Sequence, residues 1–508
     1  MKSGKWIYRA AMYLLAALAI PAALTAQDNS AQNNKPKHHH YKLIDVGTFG
    51  GPNAYLSYPL PGEVQLNRRG LVVGVADTPD PDPYSPNCLV DCYLVHAFQW
   101  RNGALTDLGA LPGINDSYAF SSNNRGQIIG VSENGTVDPV TNTPNVDAVL
   151  WSGGEIINLG TLGGNCSAAG TINDRAQVVG AAFNDVPDPF GGNLAIPLPC
   201  PVATQVHAFL WEHGVMKDLG TLGGPDSEAQ YVNERGQIAG QSYTDSTPNP
   251  PSTAPACLTS GIPTEHPFLW QNGLIDLGSL GGTCGYANWL NNQGEVVGTM
   301  TLAGDSANHA FLWSRGGLTD LKTLGGSNSE AWFANDAGDV IGRADFSPDS
   351  ADHHAFLWSH GVMKDLGTPN VGLVCSTAEG INAKRQVVGD SGVCGVGGTG
   401  WLWEEGSIVD LNTLVPSDTK VHVAGAAAIN DRGEIVAGGL PGDGSSRVVV
   451  LIPCDENHPG VKDCDYSLVD SATAKFVQPA DRSQLPAPTA NVGRVPARLQ
   501  NRVHGLER

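Results

Sequence analysis

The sequence predicts an all-β protein, a β-propeller of about eight four-stranded blades closed by N- and C-terminal strands that meet in one blade. Three observations predict it. A unit of four short alternating runs recurs along most of the chain, the turns between runs are built from Gly and Asn, and the first unit lacks the one strand left over after the last. Seven blades or an open β-solenoid are the alternatives that the same repeats permit.

The unit reads H-A-F-L-W, a turn, D-L-G-T-L-G-G, an alternating stretch ending in Asn, then G-Q-V-V-G. Its clearest copy is His207-Ala208-Phe209-Leu210-Trp211, Asp218 to Gly224, Asn233, and Gly236 to Gly240. We label the four runs strands a to d. Strand a starts at His96, Asp147, His207, His266, His309, His354, Thr399 and Arg447. Between a and b stand Asn102-Gly103, Gly153-Gly154, His213-Gly214, Asn272-Gly273 and Glu405-Gly406, and Gly there supplies the positive φ of a tight hairpin. Between c and d every copy has an Asn, at 67, 123, 173, 233, 291, 335, 382 and 430, suited to bonding its own backbone in a turn.

The two ends complement each other. The first copy begins at strand b, Tyr41 to Gly47, with no strand a before it, and a lone strand a, Val448 to Ile452, follows the last copy. Pairing them would close a ring and remove exposed sheet edges. On this reading the last blade combines Val448–Ile452 with strands drawn from Tyr41 to Gly74. Residues 1–26 read as a secretory signal peptide: Lys2, Lys5 and Arg9 precede an apolar run from Ala10 to Leu24 that ends in small residues. Residues 27–40 form a polar lead-in, 41–453 the repeat domain, and 454–508 a small cysteine loop with a disordered Pro-rich tail.

Composition agrees with export and many turns. Charged residues make up 16% of the chain, against roughly 25% in ordinary domains, and Gly stands at 63 of 508 positions. The net charge of −21 excludes a nucleic-acid partner, because phosphate binding needs a basic surface. No stretch after the leader has membrane-spanning length.

These units resemble the HAF-repeat family of extracellular repeat proteins, named for the triplet seen in His96-Ala97-Phe98, His207-Ala208-Phe209, His309-Ala310-Phe311 and His354-Ala355-Phe356. The resemblance covers roughly 41 to 453 and implies an exported repeat protein without implying an activity. Three copies depart from the triplet, at Asp147-Ala148-Val149, Pro267 and Gly400-Trp401, so the triplet is not needed in every unit.

The recurring His of strand a invites a metal or catalytic reading, but a residue repeated around a ring is spread apart and cannot gather at one ion. The strand b carboxylates Asp45, Asp107, Asp218, Asp276, Asp320, Asp365 and Asp410 are its natural structural partners. A catalytic centre would instead require the copies to differ. His38-His39-His40 makes a poor closed metal site, since neighbours on an extended chain point in opposite directions. No G-x-S-x-G, H-E-x-x-H or Walker loop is present.

What varies between copies is the d-to-a connection, long at Asp77–Val95, Val131–Val146, Ala181–Val206 and Gln241–Glu265. Variable loops on a rigid scaffold are where recognition usually sits. The candidate binding residues are Asp80, Asp82, Tyr84, Asp188 and Phe190, whose carboxylates and rings suit a glycan or a calcium-bridged ligand, although no Ca²⁺ loop motif and no cofactor motif accompanies them. Ten cysteines in an exported chain read as five disulfides. Cys166, Cys284 and Cys375 fall in b-to-c loops and Cys200, Cys257 and Cys394 in d-to-a connections at the same end of the ring. That pairs Cys166 with Cys200, Cys257 with Cys284, and Cys375 with Cys394, beside Cys88–Cys92 and Cys454–Cys464. The leading functional expectation is a secreted, periplasmic or extracellular, non-enzymatic protein that binds a glycan or a surface protein. A propeller hydrolase or lyase acting on an extracellular polymer, with two acidic residues as acid and base, and a structural envelope component are the alternatives.

Overall fold

The computed structural model describes residues 37–470, except 57–63, 86–87, 89–91, 114–115, 139–141, 191–203, 251–260, 349–351, 371 and 395. The described residues form a β-propeller-like all-β fold with no α-helix, in which eight four-stranded antiparallel units follow one another. Two of these units, Ser227–Asp276 and Gly281–Lys322, are joined into one sheet by a single parallel bridge from Glu265 to Cys284.

Every unit runs in the order c, d, a, b, so the repeat breaks between b and c. The first sheet holds Ala54–Tyr55, Val72–Pro81, Tyr93–Arg101 and Ala104–Asp107, and the seventh holds Cys375–Ile381, Val387–Val393, Val396–Glu404 and Ser407–Asp410. The eighth combines His422–Ile429, Ile435–Leu440 and Arg447–Pro453 with Tyr41–Asp45 from the other end of the described chain, in register Tyr41 to Pro453 through Asp45 to Val449. This corrects the expected grouping: only Tyr41–Asp45 joins Val448–Ile452, whereas Ala54–Tyr55 and Val72–Pro81 open the first sheet. The alternating pattern locates strands but cannot say which turn stays within a sheet and which crosses to the next.

From the second unit to the eighth, strand c packs against strand c of the next, while strand b is outermost and largely exposed. The repeated Phe residues 98, 209, 268, 311 and 356 and Trp401 are fully buried between sheets. The last Gly of G-Q-V-V-G has a packing reason. A Cβ on Gly180 would strike the Ala168 carbonyl and lie 2.9 Å from the Phe209 ring. Strand c also carries the same β-bulge in seven sheets, after Ala119, Ala169, Ala229, Ala287, Ala331, Ala378 and Ala426. A bulge leaves one residue unpaired and re-aims its side chain.

The recurring Asn does two jobs. Asn233 Oδ1 accepts the amides of Arg235 and Gln237, which caps its turn, and its Nδ2 donates to the Asn291 carbonyl of the following sheet. The same link runs from Asn67 to Asn123, 173, 233, 291, 335, 382 and 430, at 2.8 to 3.3 Å, and Asn430 donates back to Asn67 at 3.2 Å. Removing a buried amide with several partners strands them without water, at about 1–3 kcal/mol. Asn233→Ala and Asn430→Ala are expected to lose that much each in chemical denaturation. A much smaller loss for Asn430→Ala would mean that the last link contributes nothing.

The insertions are partly strand. Their hairpins extend to Pro81–Tyr93, Val137–Pro144 and Pro187–Thr204 after a register shift. The lead-in and tail are also ordered in part: Lys37–His39 pairs with Leu468–Asp470, so the ordered chain continues past the cysteine loop expected to end it. Disulfides join Cys88–Cys92, Cys375–Cys394 and Cys454–Cys464. Cys166 and Cys284 are disulfide-bonded too, and their expected partners Cys200 and Cys257 lie outside the described residues. No described helix is long and apolar enough to cross a membrane.

Candidate active site

The repeated His residues are structural. Nδ1 of His96, His207, His266, His309 and His354 bonds the strand b carboxylate of its own sheet, Asp107, Asp218, Asp276, Asp320 and Asp365, at 2.8 to 2.9 Å. Burial alone would raise Asp218 and lower His207. The hydrogen bond and the opposite charge outweigh it and shift both the other way, as an ion pair does. The pairs sit on separate sheets, where they pin strand a to strand b. His38 is buried and bonds Glu404 at 2.8 Å, a side chain of the seventh sheet.

The candidate binding residues divide into two places. Asp80 is exposed at the end of its strand. Asp82 is buried and accepts the Tyr84 amide at 2.7 Å, and both lie beside Asp116 and Glu133 of the second sheet, whose charges with that of Asp82 push the Tyr84 hydroxyl up after burial does. Asp188 accepts the Phe190 amide at 2.9 Å, and the Phe190 ring meets Tyr243 of the fourth sheet edge-on at 6.5 Å. Asp82 and Asp188 thus hold turns within their insertions, and Phe190 braces its own against the neighbouring sheet.

Glu133 belongs to the same scaffold. Its carboxylate accepts the Asp116 amide at 3.0 Å, as Asp345 accepts the Asn328 amide at 3.0 Å in the sixth sheet. Burial pushes Glu133 up to about 7, aided by the charge of Asp82. A carboxyl raised on folding holds its proton in the native state when the unfolded chain has lost it. Its contribution is therefore full at low pH and lost as pH rises from the ordinary Glu value toward 7. Glu133→Gln is expected to flatten the fall in stability between about pH 4.5 and 7, and to be more stable than the parent at pH 8 by up to about 3 kcal/mol. Parallel pH–stability curves for parent and variant would show that Glu133 is not the group titrating.

The chemistry-bearing cluster lies on strands c and d of the fifth to seventh sheets. Glu379 is the bulge residue of Cys375–Ile381, and Asp390 is on the adjacent Val387–Val393. Both are half-buried, enclosed by protein while keeping some surface. Burial raises both carboxyls, and the two are near enough to influence each other's titration. Glu379 rises well above the usual range, through burial and the Asp390 charge. Asp390 rises to about 6, with burial opposed by its contact with Glu379 and by Arg343. Two enclosed carboxyls that feel each other's charge resist being ionised together, so the pair keeps a proton to higher pH than a lone carboxyl would. Beside them Arg343 is buried on Glu330, N to O 3.1 Å, and lies over the Trp332 ring, 5.5 Å from its centroid. The Arg343 charge lowers both members of the pair and so favours one of them being anionic. Aromatic side chains Tyr231, Trp289 and Phe333, each one residue past the bulge, stack in sequence at 5.6 and 4.5 Å.

No family model matches the chain, and no curated protein matches it significantly. Among solved structures it is similar to the Pyrococcus horikoshii acylaminoacyl peptidase, at 11% identity and a TM-score of 0.35 over 65% of this chain and 52% of that one. It is also similar to a Mycobacterium tuberculosis puromycin-hydrolysing peptidase, at 11% identity and 0.38 over 78% and 61%. A third is the β-propeller domain of the Trilobed protease from Pyrococcus furiosus, at 11% and 0.36 over 71% and 95%. The chain spans about half to three fifths of the length of the two peptidases. The expectation of a non-enzymatic binding or cell-surface protein is corrected here. The chains it resembles are peptidases and a propeller domain of a protease, and the seventh sheet holds the carboxyl pair that sequence spacing could not locate.

Proposed function

We propose that this protein is an exported hydrolase of an extracellular polymer, with Glu379 as general acid and Asp390 as general base. The observation that carries the reading is the pair itself, two enclosed carboxyls on adjacent strands c and d that burial keeps protonated to higher pH than usual. Asp390 takes a proton from water as its oxygen bonds to the electrophilic carbon of the scissile linkage. The leaving group takes the Glu379 proton as that linkage breaks. The proton now on Asp390 returns to Glu379 and resets the pair.

In this reading the eight sheets close as a ring, supported by the Tyr41–Asp45 pairing and the return link from Asn430 to Asn67. Strand c, with Glu379 on its bulge, then borders the central channel. Export is supported by the disulfides and by the resemblance of the repeats to those of the HAF-repeat proteins. The test is a panel of polypeptides and polysaccharides scored for new amines and reducing ends, with the parent beside Glu379→Gln. Cleavage of one polymer class by the parent and its loss in the variant are expected. Equal product from both would remove Glu379 from the chemistry.

A further inference from the structure

We infer that the Cys375–Cys394 disulfide is the oxidised form of a zinc site, completed by His353 and Asp352. The four residues come from two neighbouring sheets. His353 opens strand a of the sixth, Asp352 precedes it, and Cys375 and Cys394 lie on or next to strands c and d of the seventh. His353 and Cys375 are buried, while Cys394 and Asp352 are half-buried. His353 Nδ1 stands 3.6 Å from Cys375 Sγ, and Asp352 Oδ1 stands 3.3 Å from Cys394 Sγ. The ligand atoms of His353, Cys375 and Cys394 all lie within 4.8 Å of one another, the only such group of His, Cys and acidic side chains among the described residues.

These separations fit a tetrahedral ion. Zn–S near 2.3 Å and Zn–N or Zn–O near 2.0 Å give tetrahedral edges of about 3.5 Å between a sulfur and a nitrogen or oxygen. Two of the four such edges stand at 3.6 and 3.3 Å, from His353 to Cys375 and from Asp352 to Cys394. The edge between the two sulfurs is absent, because they are bonded to each other, and about 3.8 Å would separate them around zinc. Reduction supplies it: two electrons and two protons convert the bridge to two thiols, and zinc then displaces both thiol protons to solvent. The same residues would hold the sixth and seventh sheets together by a bridge in oxidising surroundings and by a metal in reducing ones.

The test uses the whole chain and Co²⁺ as a spectroscopic stand-in for Zn²⁺. A phosphine reductant, oxidised with oxygen from water as it yields two thiols, leaves no competing thiol. The reduced parent is expected to show thiolate-to-cobalt absorption and to retain one more zinc after desalting than the reduced His353→Ala variant. Asp352→Asn should weaken affinity at least roughly tenfold, and the unreduced parent should not bind there. Equal cobalt spectra and zinc content in reduced parent and His353→Ala would overturn the inference, as would equal binding by the unreduced chain. If reduction unfolds the protein, refolding by zinc of the parent and not of His353→Ala supports the site. A chain that stays unfolded with zinc overturns it.

Discussion

Deleting Arg447–Pro453 is expected to abolish cooperative folding. The segment is an inner strand of the eighth sheet, bonded to Ile435–Leu440 on one side and to Tyr41–Asp45 on the other. Val448, Val449, Val450 and Leu451 are at most 1% exposed. At roughly 1.5–3 kcal/mol for each buried side chain of this size, the loss exceeds half of the 5–15 kcal/mol by which domains are stable. Deletion also leaves two unpaired strand edges, which invite aggregation. Calorimetry should show the single transition of the parent replaced by a low, broad one. An unchanged melting temperature would show that the two ends of the chain do not depend on each other.

The second large effect concerns the pair on the seventh sheet. Asp390→Asn and Glu379→Gln keep shape and hydrogen-bonding capacity while removing the base or the acid. Each is expected to lower kcat by about 10²- to 10⁴-fold with little change in folding. Because the productive state has Asp390 ionised and Glu379 protonated, activity should rise with an acid limb near pH 6 and fall again as Glu379 loses its proton at higher pH. Arg343→Gln removes the nearby positive charge, so the acid limb should move to higher pH. It leaves Glu330 buried without its partner, so its melting temperature has to be read beside its rate. An acid limb that stays near 6 in a folded Arg343→Gln would show that Arg343 does not tune the pair.

Much of the fold was legible because repetition states it many times. The strands, the Gly and Asn turns, the pairing of the two chain ends and the His–Asp partners each follow from local patterns that recur in register. The break between sheets was not legible, since nothing in the sequence of the b-to-c or d-to-a connections tells which of them crosses to another sheet. The Asn-to-Asn link between sheets was also hidden, although the Asn itself was conspicuous, because a turn residue satisfying its own backbone gives no hint of its second partner.

The carboxyl pair was hidden for a different reason. Glu379 and Asp390 occupy positions where other copies carry Phe120, Gly170, Gln230, Asn288 and Trp332, or Val131, Ala181, Gln241, Thr299 and Arg343. A signal did exist, since a catalytic centre in a repeat protein requires copies to differ, and in both columns the seventh copy alone carries a carboxylate. What aligned them wrongly was the bulge. It shifts Glu379 by one position, off the plain alternation that assigns side chains to faces. The insertions drew attention instead because they are long and variable; within them Asp82 and Asp188 hold turns and Phe190 meets Tyr243.

The most direct test of acid–base hydrolysis is digestion of the polymer panel in heavy-oxygen water, followed by mass spectrometry of the products. The parent is predicted to release fragments that carry one heavy oxygen from solvent at the new end, and Asp390→Asn none above background. Intact polymers with the folded parent, or fragments formed without solvent oxygen, would contradict the account.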